Sequence, residues 1–450
     1  MGSSTPFSAP AEVFEWLKRF INLEKDLSGS PFRLETMLNL AAIAGHPERC
    51  APAFHVAGSK GKGSVTGMIA AVLEAGNSKA ARFMSPHVSD FRERISLGTS
   101  FFEEKIYAEA GNLLRKYTEE FLQNHEEPTF YELTTLWYFL CAFLEKCDFM
   151  AIETGIGGRL DATNIVDPLV SIITVIEKEH TEILGNTLAQ IAGEKAGIIK
   201  PLRPLILAEQ NEEALGVFRK KASQTGSRLY YFPEHAFINN IKITREGTVF
   251  DLALDLPGGA GFKIDDLRSP MPGEIQAKNA GLAALALKIA CPEIGGSTIK
   301  KGISSFSLPA RFEKISSCPV FIADGAHTVQ SALECAKTFT SLYGKEGVLL
   351  FGCAKDKDSS SIAEIFVPCF SYIIITSPGT LKKSAPEDVY KAFAEQSALK
   401  NINSSVSLIP ETEKAIKKAF EIGSDLKKPI LGAGSFYLAA EIKKFNSSPE

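Results

Sequence analysis

The sequence predicts an α/β fold in two domains: a largely parallel sheet flanked by helices, then a smaller Rossmann-like unit. Three observations carry this prediction. Short apolar runs alternate with helical patterns along most of the chain, as parallel strands joined by crossover helices do. A glycine-rich turn joins one such run to a helix at His55-Val-Ala-Gly-Ser-Lys-Gly-Lys-Gly-Ser64. The alternation restarts after Pro319, beyond a stretch of different character. At 450 residues the chain is too long for one hydrophobic core.

Taken in order, residues 11–23 and Leu34–Ala44 carry apolar side chains at helical spacing, the second helix ending at Gly45. Ala53–Ala57 is a short strand, and Val65–Ala75 is the helix after the glycine turn. Lys79–Met84 is a strand delivering Ser85-Pro86-His87. Two amphipathic helices, Ile106–Phe121 and Tyr131–Lys146, come next. Phe149–Ile152 is a buried strand ending at Glu153-Thr154-Gly155, and Val170–Ile176 is another, ending at Glu177-Lys178-Glu179-His180. Helical patterns follow near Thr187–Ala196 and Glu212–Thr225. Between Arg228 and Leu256, alternation on either side of Glu246-Gly247 predicts a hairpin, 241–244 with 248–252, in a small antiparallel sheet. A helix from Gln276 to Ile289 closes this half.

Ser304–Pro309 has the composition of a linker, which sets the first domain at 1–303, the linker at 304–312 and the second domain at 313–450. In the second domain, strands at Val320–Ala323, Gly347–Phe351, Tyr372–Thr376, Ser405–Leu408 and Pro429–Leu431 suit a Rossmann-like sheet. Helices at Val329–Leu342, Ser359–Phe366, Pro386–Gln396, Glu411–Ile422 and after Ser435 connect them. No G-x-G-x-x-G marks a dinucleotide site, and Gly432-Ala433-Gly434-Ser435 is read as a structural turn.

Composition narrows the function classes. With 45% hydrophobic and 23% charged residues and a net charge of −4, no basic block argues for nucleic acid. No apolar run is long enough to span a membrane. Eight cysteines without a C-x-x-C speak for reduced thiols rather than disulfides or zinc. Met1–Pro10 lacks a basic start and an apolar segment, so a cytoplasmic protein is expected.

The glycine turn is suited to phosphate. Glycines 58, 61 and 63 let backbone N–H groups converge on phosphate oxygens at the positive end of a helix. Lys62 would neutralise β- and γ-phosphates, and Ser64 offers a hydroxyl to phosphate or Mg²⁺. A glycine stands between Lys62 and Ser64, unlike the usual G-x-x-x-x-G-K-[ST], so a purely structural strand-to-helix turn stays open.

Other strand ends carry candidate ligands. Ser85, Glu153 and His180 would meet near the turn if their strands are neighbours, although Glu153 as a cap or ion-pair partner and His180 as a loop histidine remain alternatives. Glu153-Thr-Gly-Ile-Gly-Gly-Arg-Leu-Asp-Ala-Thr-Asn164 allows close approach of backbone to a ligand, or forms a loop with a local Arg159–Asp161 pair. In the second half, Arg311 can contact phosphate and Asp324, in Asp324-Gly-Ala-His327, can accept from ribose, or both form a surface ion pair.

Together these segments resemble the folylpolyglutamate synthase/dihydrofolate synthase family of the Mur ligase superfamily. The resemblance rests on 55–64, Ser85-Pro-His-Val-Ser-Asp-Phe-Arg-Glu-Arg-Ile95, Pro128-Thr-Phe-Tyr-Glu132, 153–164 and His180-Thr-Glu-Ile-Leu-Gly185. It continues through Glu194-Lys-Ala-Gly-Ile-Ile-Lys-Pro201, Gln276 with Asn279, Arg311-Phe-Glu313 and 324–327. It implies a P-loop-containing Mur-ligase-like ATPase domain joined to a Rossmann-like glutamate-ligase domain, with the active site in the cleft. The implied activity is ATP-dependent ligation of L-glutamate to dihydropteroate or reduced folate through an acyl phosphate, in folate biosynthesis and one-carbon metabolism, by a monomer.

The resemblance also assigns residues. Gly58, Ser59, Lys60, Gly61, Lys62, Gly63 and Ser64 would bind ATP together with Asn279, Arg311 and Asp324. Ser85, Glu153 and His180 would ligate Mg²⁺, and Lys195 matches a lysine carbamylated in the superfamily, whose anion can bind a second Mg²⁺. Pteroate would lie near Pro31, Phe32 and Arg33, near Thr129, Phe130, Tyr131 and Glu132, and near Leu160, Asp161 and Ala162. Lys62, Lys195 and His327 are the catalytic candidates, with His327 orienting glutamate or phosphate. The chain departs from the family at Ser59-Lys60 for Thr-Asn, Glu179 for Asp, Thr328 for Asn and Lys382-Lys383 for arginine. Another Mur-type amide ligase, or a nucleotide-binding module without catalysis, is the competing reading.

Overall fold

The structure, a computed structural model, describes residues 5–21, 33–259, 261–379, 383–400 and 404–447. Pro31, Phe32 and Lys382 lie outside them. The chain divides into two compact units. One holds the chain up to Asn240 with Phe250–Arg268 and Lys278–Phe306; the other holds Ile241–Val249, Ser269–Ala277 and the chain from Ser307 onward.

The first unit is built on seven strands: β1 (Ala53–Ala57), β2 (Ala80–Phe83), β3 (Ile95–Leu97), β4 (Phe149–Glu153), β5 (Val170–Ile173), β6 (Leu205–Leu207) and β7 (Leu229–Tyr231). They lie in the order β3-β2-β4-β1-β5-β6-β7, parallel except at the β2–β3 edge. β1 is buried at all five residues, as a strand covered on both faces must be, which explains its unbroken apolar run. It pairs with β4 on one side and β5 on the other, and the chain crosses to opposite sides after β1 and after β4. Such a switch point opens a crevice at the carboxyl ends of the strands.

The helix Lys62–Ala75 leaves that crevice and is buried from Ser64 to Leu73. It packs against the helix Gly296–Ser305, where a Cβ on Gly302 would sit 2.3 Å from Val72 Cα. The sequence predicts a linker from Ser304; the helix instead runs through Ser305. One face of the sheet covers an aromatic-rich core including Phe83, Tyr107, Phe130, Trp137 and Tyr138. The helix predicted over 11–23 spans Pro10–Leu17, and Phe20 beyond it turns back into this core. The edge strand β3 and the short strands β6 and β7 are additions to the prediction.

The predicted hairpin is β8 (Ala236–Thr244) with β9 (Gly247–Asp255), and a third strand, β10 (Gly261–Ser269), completes a small sheet ordered β10-β9-β8. The second unit carries β11 (Glu313–Ser317), β12 (Val320–Ala323), β13 (Gly347–Phe351), β14 (Phe370–Ile375), β15 (Ser405–Leu408) and β16 (Ile430–Ala433). Their order is β11-β12-β16-β13-β14-β15, and the five predicted strands are parallel. β11, unpredicted, runs antiparallel to β12 at the edge. All eight cysteines are free thiols. Among the described residues no helix is long and apolar enough to cross a membrane.

Candidate functional site

Four adjacent strands, β2, β4, β1 and β5, bring the functional segments of the first unit to one edge of the sheet. Ser85 follows β2, Glu153 ends β4, the glycine turn follows β1, and Glu179-His180 follows β5. Neighbouring strands lie about 4.8 Å apart, so these ends occupy one short row.

The turn has the backbone that only glycine tolerates. Gly58 has φ +142, and a Cβ there would lie 1.8 Å from Thr174 Oγ1. Gly61 has φ +92, with Asn279 Oδ1 only 2.5 Å from where a Cβ would be, so the expected nucleotide residue Asn279 does reach the turn. Ser59 N and Lys60 N both donate to Val175 O, at 2.9 and 3.3 Å, and Ser59 Oγ donates to Glu177 O at 3.0 Å. These bonds pin the first half of the turn to the segment after β5. The second half, Gly61 to Ser64, opens the helix, where the first N–H groups have no intrahelical acceptor and suit an anion.

Two lysines from different elements converge here. Lys62 Nζ donates to Gly58 O at 2.9 Å, and Lys195 Nζ donates to the same oxygen at 2.8 Å. Lys195 is 1% exposed and also pairs with Glu179 Oε1 at 3.0 Å. Burial, with Lys62 and Lys60 nearby, brings the Lys195 amine down to about 8 against the pull of Glu179. For Glu179, burial works to raise the carboxyl, but Lys195, Lys62, Lys60 and His180 outweigh it and hold the group down at about 2. Glu179, standing where the resemblance implies aspartate, thus pairs closely with the buried Lys195 while remaining partly exposed itself.

Glu153 is buried, and Ser85 N donates to its Oε2 at 3.3 Å. A carboxylate and a hydroxyl-bearing residue side by side offer the hard oxygen donors that Mg²⁺ prefers, so this pair fits the ion. His180 adopts a left-handed backbone, φ 48, at the start of the helix Thr181–Leu184, and it is exposed. Among the described residues no group of three or more His, Cys, Asp or Glu side chains is placed to hold a metal.

The segments expected to meet pteroate are committed to the protein's own architecture in part. Asp161 is buried and accepts from Gly155 N, Ile156 N and Thr163 N at 2.8, 3.2 and 3.0 Å. The alternative of an Arg159–Asp161 pair is corrected: Arg159 binds Glu194 at 2.9 Å on the exposed side of the loop. Thr129 and Glu132 form the capping box of the helix Phe130–Glu145, with Thr129 N donating to Glu132 Oε2 at 2.7 Å. Burial raises the Glu132 carboxyl. Phe130 is buried under the Arg94 guanidinium, whereas Tyr131 lies against Gly155, where a Cβ would come within 2.6 Å of its ring. Leu160 is half-buried and Ala162 buried, and Arg33 is exposed and 3.5 Å from Glu126.

In the second unit, Asp324 at the end of β12 accepts from Phe312 N and Ala326 N, both at 2.8 Å. Burial raises its carboxyl while Arg311 pulls it down. Ala310 and Phe312 flank Arg311 with φ +55 and +51, a strained turn for residues with side chains. The Arg311 guanidinium lies 4.6 Å from the centre of the Phe436 ring, and the His327 ring lies 5.9 Å from it. His327 Nδ1 is 2.7 Å from Gly325 O. Thr328 caps the helix Val329–Tyr343, a role that asparagine also fills.

Two residues here escaped the sequence reading. Phe436 follows the Gly432–Ser435 turn and supports both Arg311 and His327. Gln210 binds Thr174 O at 2.8 Å and Ile176 N at 3.1 Å, bracing the very segment whose Val175 carbonyl pins the turn. Gln210 carries no sequence signal, since it follows β6 in an irregular stretch.

Known proteins resemble this chain over most of its length. The Mur ligase middle domain matches residues 56–287, and the Mur ligase glutamate ligase domain matches residues 310–436. The chain is 31% identical over 422 residues to the dihydrofolate synthase/folylpolyglutamate synthase of Bacillus subtilis, covering 91% of this chain and 94% of that one. It is 28% identical to the folylpolyglutamate synthase of Lacticaseibacillus casei, covering 94% and 99%. Among solved structures, the folylpolyglutamate synthase of Thermotoga maritima superposes with a TM-score of 0.82 at 26% identity, covering 98% and 97%. An FPGS–AMPPCP–folate complex superposes with a TM-score of 0.81 at 26% identity, covering 98% and 100%.

Proposed function

Because the chain belongs to the folylpolyglutamate synthase/dihydrofolate synthase family of Mur ligases, we propose that it joins L-glutamate to a dihydropteroate or reduced-folate carboxylate at the expense of ATP. The observation that carries this reading is the convergence of Lys62 and Lys195 on the Gly58 carbonyl at the mouth of a buried helix. Two ammonium groups held on one neutral oxygen form a ready receptor for polyphosphate.

The chemistry follows from the poor reactivity of a carboxylate towards amines. An acceptor carboxylate oxygen attacks the γ-phosphorus of ATP, the β–γ bridge breaks, and ADP leaves. The glutamate amine then attacks the acyl carbon of the acyl phosphate. The C–O bond to phosphate breaks, phosphate leaves with that oxygen, and the amine proton passes to solvent. Transfer of this kind depends on positioning and on charge placed around the phosphoryl oxygens. Lys62 supplies charge at the β/γ end, and the N–H groups of 61–64 cradle the phosphates beside Lys60 and Asn279.

Ser85 and Glu153, with His180, would hold Mg²⁺, which when bound offsets phosphate charge. The Lys195 amine, brought down to about 8, has a neutral fraction that could add carbon dioxide and release a proton. In that carbamylated form Lys195 would give up its part as a phosphate-binding cation to Lys62 and would offer an anion to a second Mg²⁺. Arg311 and Asp324 meet the nucleotide's phosphate and ribose, and His327 orients glutamate or phosphate. Arg33, Tyr131, Leu160 and Ala162 contact the acceptor, and the enzyme works as a cytoplasmic monomer.

The test compares dihydropteroate with tetrahydrofolate under identical ATP, Mg²⁺ and glutamate. ADP release that requires both an acceptor and glutamate is expected, and the better acceptor identifies the step catalysed. Turnover only with a uridine-nucleotide acceptor would move the chain to another Mur-type ligase. ATP binding without acceptor-dependent release would make it a nucleotide-binding module.

A further inference from the structure

Three residues before the glycine turn, the central strand β1 carries a fully buried histidine among apolar neighbours. His55 Nε2 lies 2.8 Å from Thr163 Oγ1, and Thr163 Oγ1 lies 2.5 Å from Asp161 Oδ1. Asp161 also collects the N–H groups of Gly155, Ile156 and Thr163. This carboxylate is therefore an acceptor on every side. The proton of Thr163 points to it, and the hydroxyl oxygen in turn accepts from His55 Nε2–H. Burial, with Lys200 in range, holds the imidazole at about 3, so the ring is neutral and its other nitrogen, Nδ1, bears the lone pair. Nδ1 is buried and has no hydrogen-bond partner among the described residues.

A buried nitrogen without a partner costs folding free energy, and an apolar side chain would avoid that cost. The gain from an imidazole at this place lies in its single directed bond to Thr163. That bond ties β1, which leads directly into the phosphate turn, to the loop 155–164. The same loop rests against Tyr131 at Gly155 and against the Glu194 and Lys195 carbonyls at Gly158.

We propose that His55 and Thr163 are positioning residues that hold the loop 155–164 in register with the nucleotide strand, so that the bound acceptor's carboxylate faces the γ-phosphate. The proposal rests on the reading of this loop as part of the acceptor site. Reacting atoms must approach to about 3–3.5 Å, and a displacement of about 1 Å at a supporting residue can cost about 100-fold in rate. Neither residue touches a reacting atom. Their effect passes through Asp161 to the backbone at Gly155 and Ile156.

The experiment uses the full chain and steady-state ADP release with the acceptor varied, beside calorimetric ATP binding and thermal melting. His55→Leu and Thr163→Val should each lower kcat/KM for the acceptor by about 10–100-fold. ATP affinity should stay within about twofold, because the turn's own bonds to Val175 and Gly58 are untouched. The double variant should be no worse than either single one, since both break one chain of bonds. His55→Gln, which keeps a donor at the reach of Nε2, and Thr163→Ser, which keeps the hydroxyl, should recover most of the activity.

Acceptor kinetics unchanged in folded His55→Leu or Thr163→Val would overturn the proposal. So would multiplying losses in the double variant, or a fall in ATP affinity matching that for the acceptor. If His55→Leu does not fold, Thr163→Val and Thr163→Ser carry the comparison. ADP release from the unaltered protein that ignores the acceptor overturns the assigned activity and this proposal with it. Acceptor-dependent release that the variants leave unchanged overturns the positioning role alone.

Discussion

The glycine turn of the first unit and the Asp324 cluster of the second prepare charge in different ways. At the turn, Lys62 and Lys195 share the Gly58 carbonyl, and Glu179 neutralises part of the positive charge. On the proposed reading, a phosphate bound there would exchange with these internal acceptors, with Lys195 already buried and both lysines already aimed at one point. Around Asp324 the anion is tied to two backbone N–H groups, and the cation Arg311 rests on the ring of Phe436. One region stores electrostatic potential in exchangeable hydrogen bonds; the other stores geometry in a strained turn and an aromatic contact. Substitutions at the first should therefore strike the chemical step, and those at the second should strike nucleotide affinity and local stability.

The largest effect is expected at Lys62. Lys62→Ala should lower kcat by about 1000-fold, about 4 kcal/mol of transition-state stabilisation, with a smaller change in ATP affinity. Rapid-quench detection of phosphoryl transfer would show it, and near-normal turnover would remove the turn from the mechanism. Asp324→Ala should act on the other quality. It leaves the N–H groups of Phe312 and Ala326 without their acceptor, at about 1–3 kcal/mol each, and should lower the denaturant midpoint while weakening ATP. A variant with wild-type stability would show that the turn at 310–312 holds itself.

Acid should expose the first unit's core. His55 titrates at about 3 in the fold against 6.5 as its ordinary value. Between those values the unfolded chain binds a proton that the folded one excludes, so stability is full above about pH 6.5 and falls as pH drops towards 3. The slope for this group approaches about 1.4 kcal/mol per pH unit. His55→Leu should flatten the pH dependence of urea stability by that amount between pH 6 and 5, about one unit of the window. Equal slopes in the two proteins would contradict a neutral buried ring. The smallest effect is expected at Phe436. Phe436→Leu removes a contact of about 1 kcal/mol and should raise the ATP KM a few-fold, with kcat nearly unchanged.

Much of this was legible in the sequence, and what was not has identifiable causes. β1, the glycine turn and its helix declare themselves because a doubly buried strand must be apolar and the turn must have glycine. The helix Gly296–Ser305 does not, because its two glycines weaken the helical signal and its last two residues read as the start of a linker, yet Gly302 is what lets it approach Val72 closely. β10 hides for another reason. Asp266, at φ 48, breaks its alternation, so the buried residues Ile264 and Leu267 stand three apart. At the site, Ser85 and Glu153 come together as their strand-end positions imply, and Asn279 reaches Gly61. Thr129-x-x-Glu132 and Asp161-x-Thr163 carry readable capping signals, which account for the bonds they form within the protein. Phe436 and Gln210 could not be read, since their importance lies in what they touch rather than in any local pattern.

The central claim is that the acceptor carboxylate is activated as an acyl phosphate on the glycine turn. It is tested most directly by supplying an acceptor labelled with ¹⁸O in the reacting carboxylate and analysing the phosphate released. The account predicts one ¹⁸O atom in each phosphate formed, because the attacking oxygen leaves with phosphorus when the amine displaces it. Unlabelled phosphate alongside amide product would contradict it.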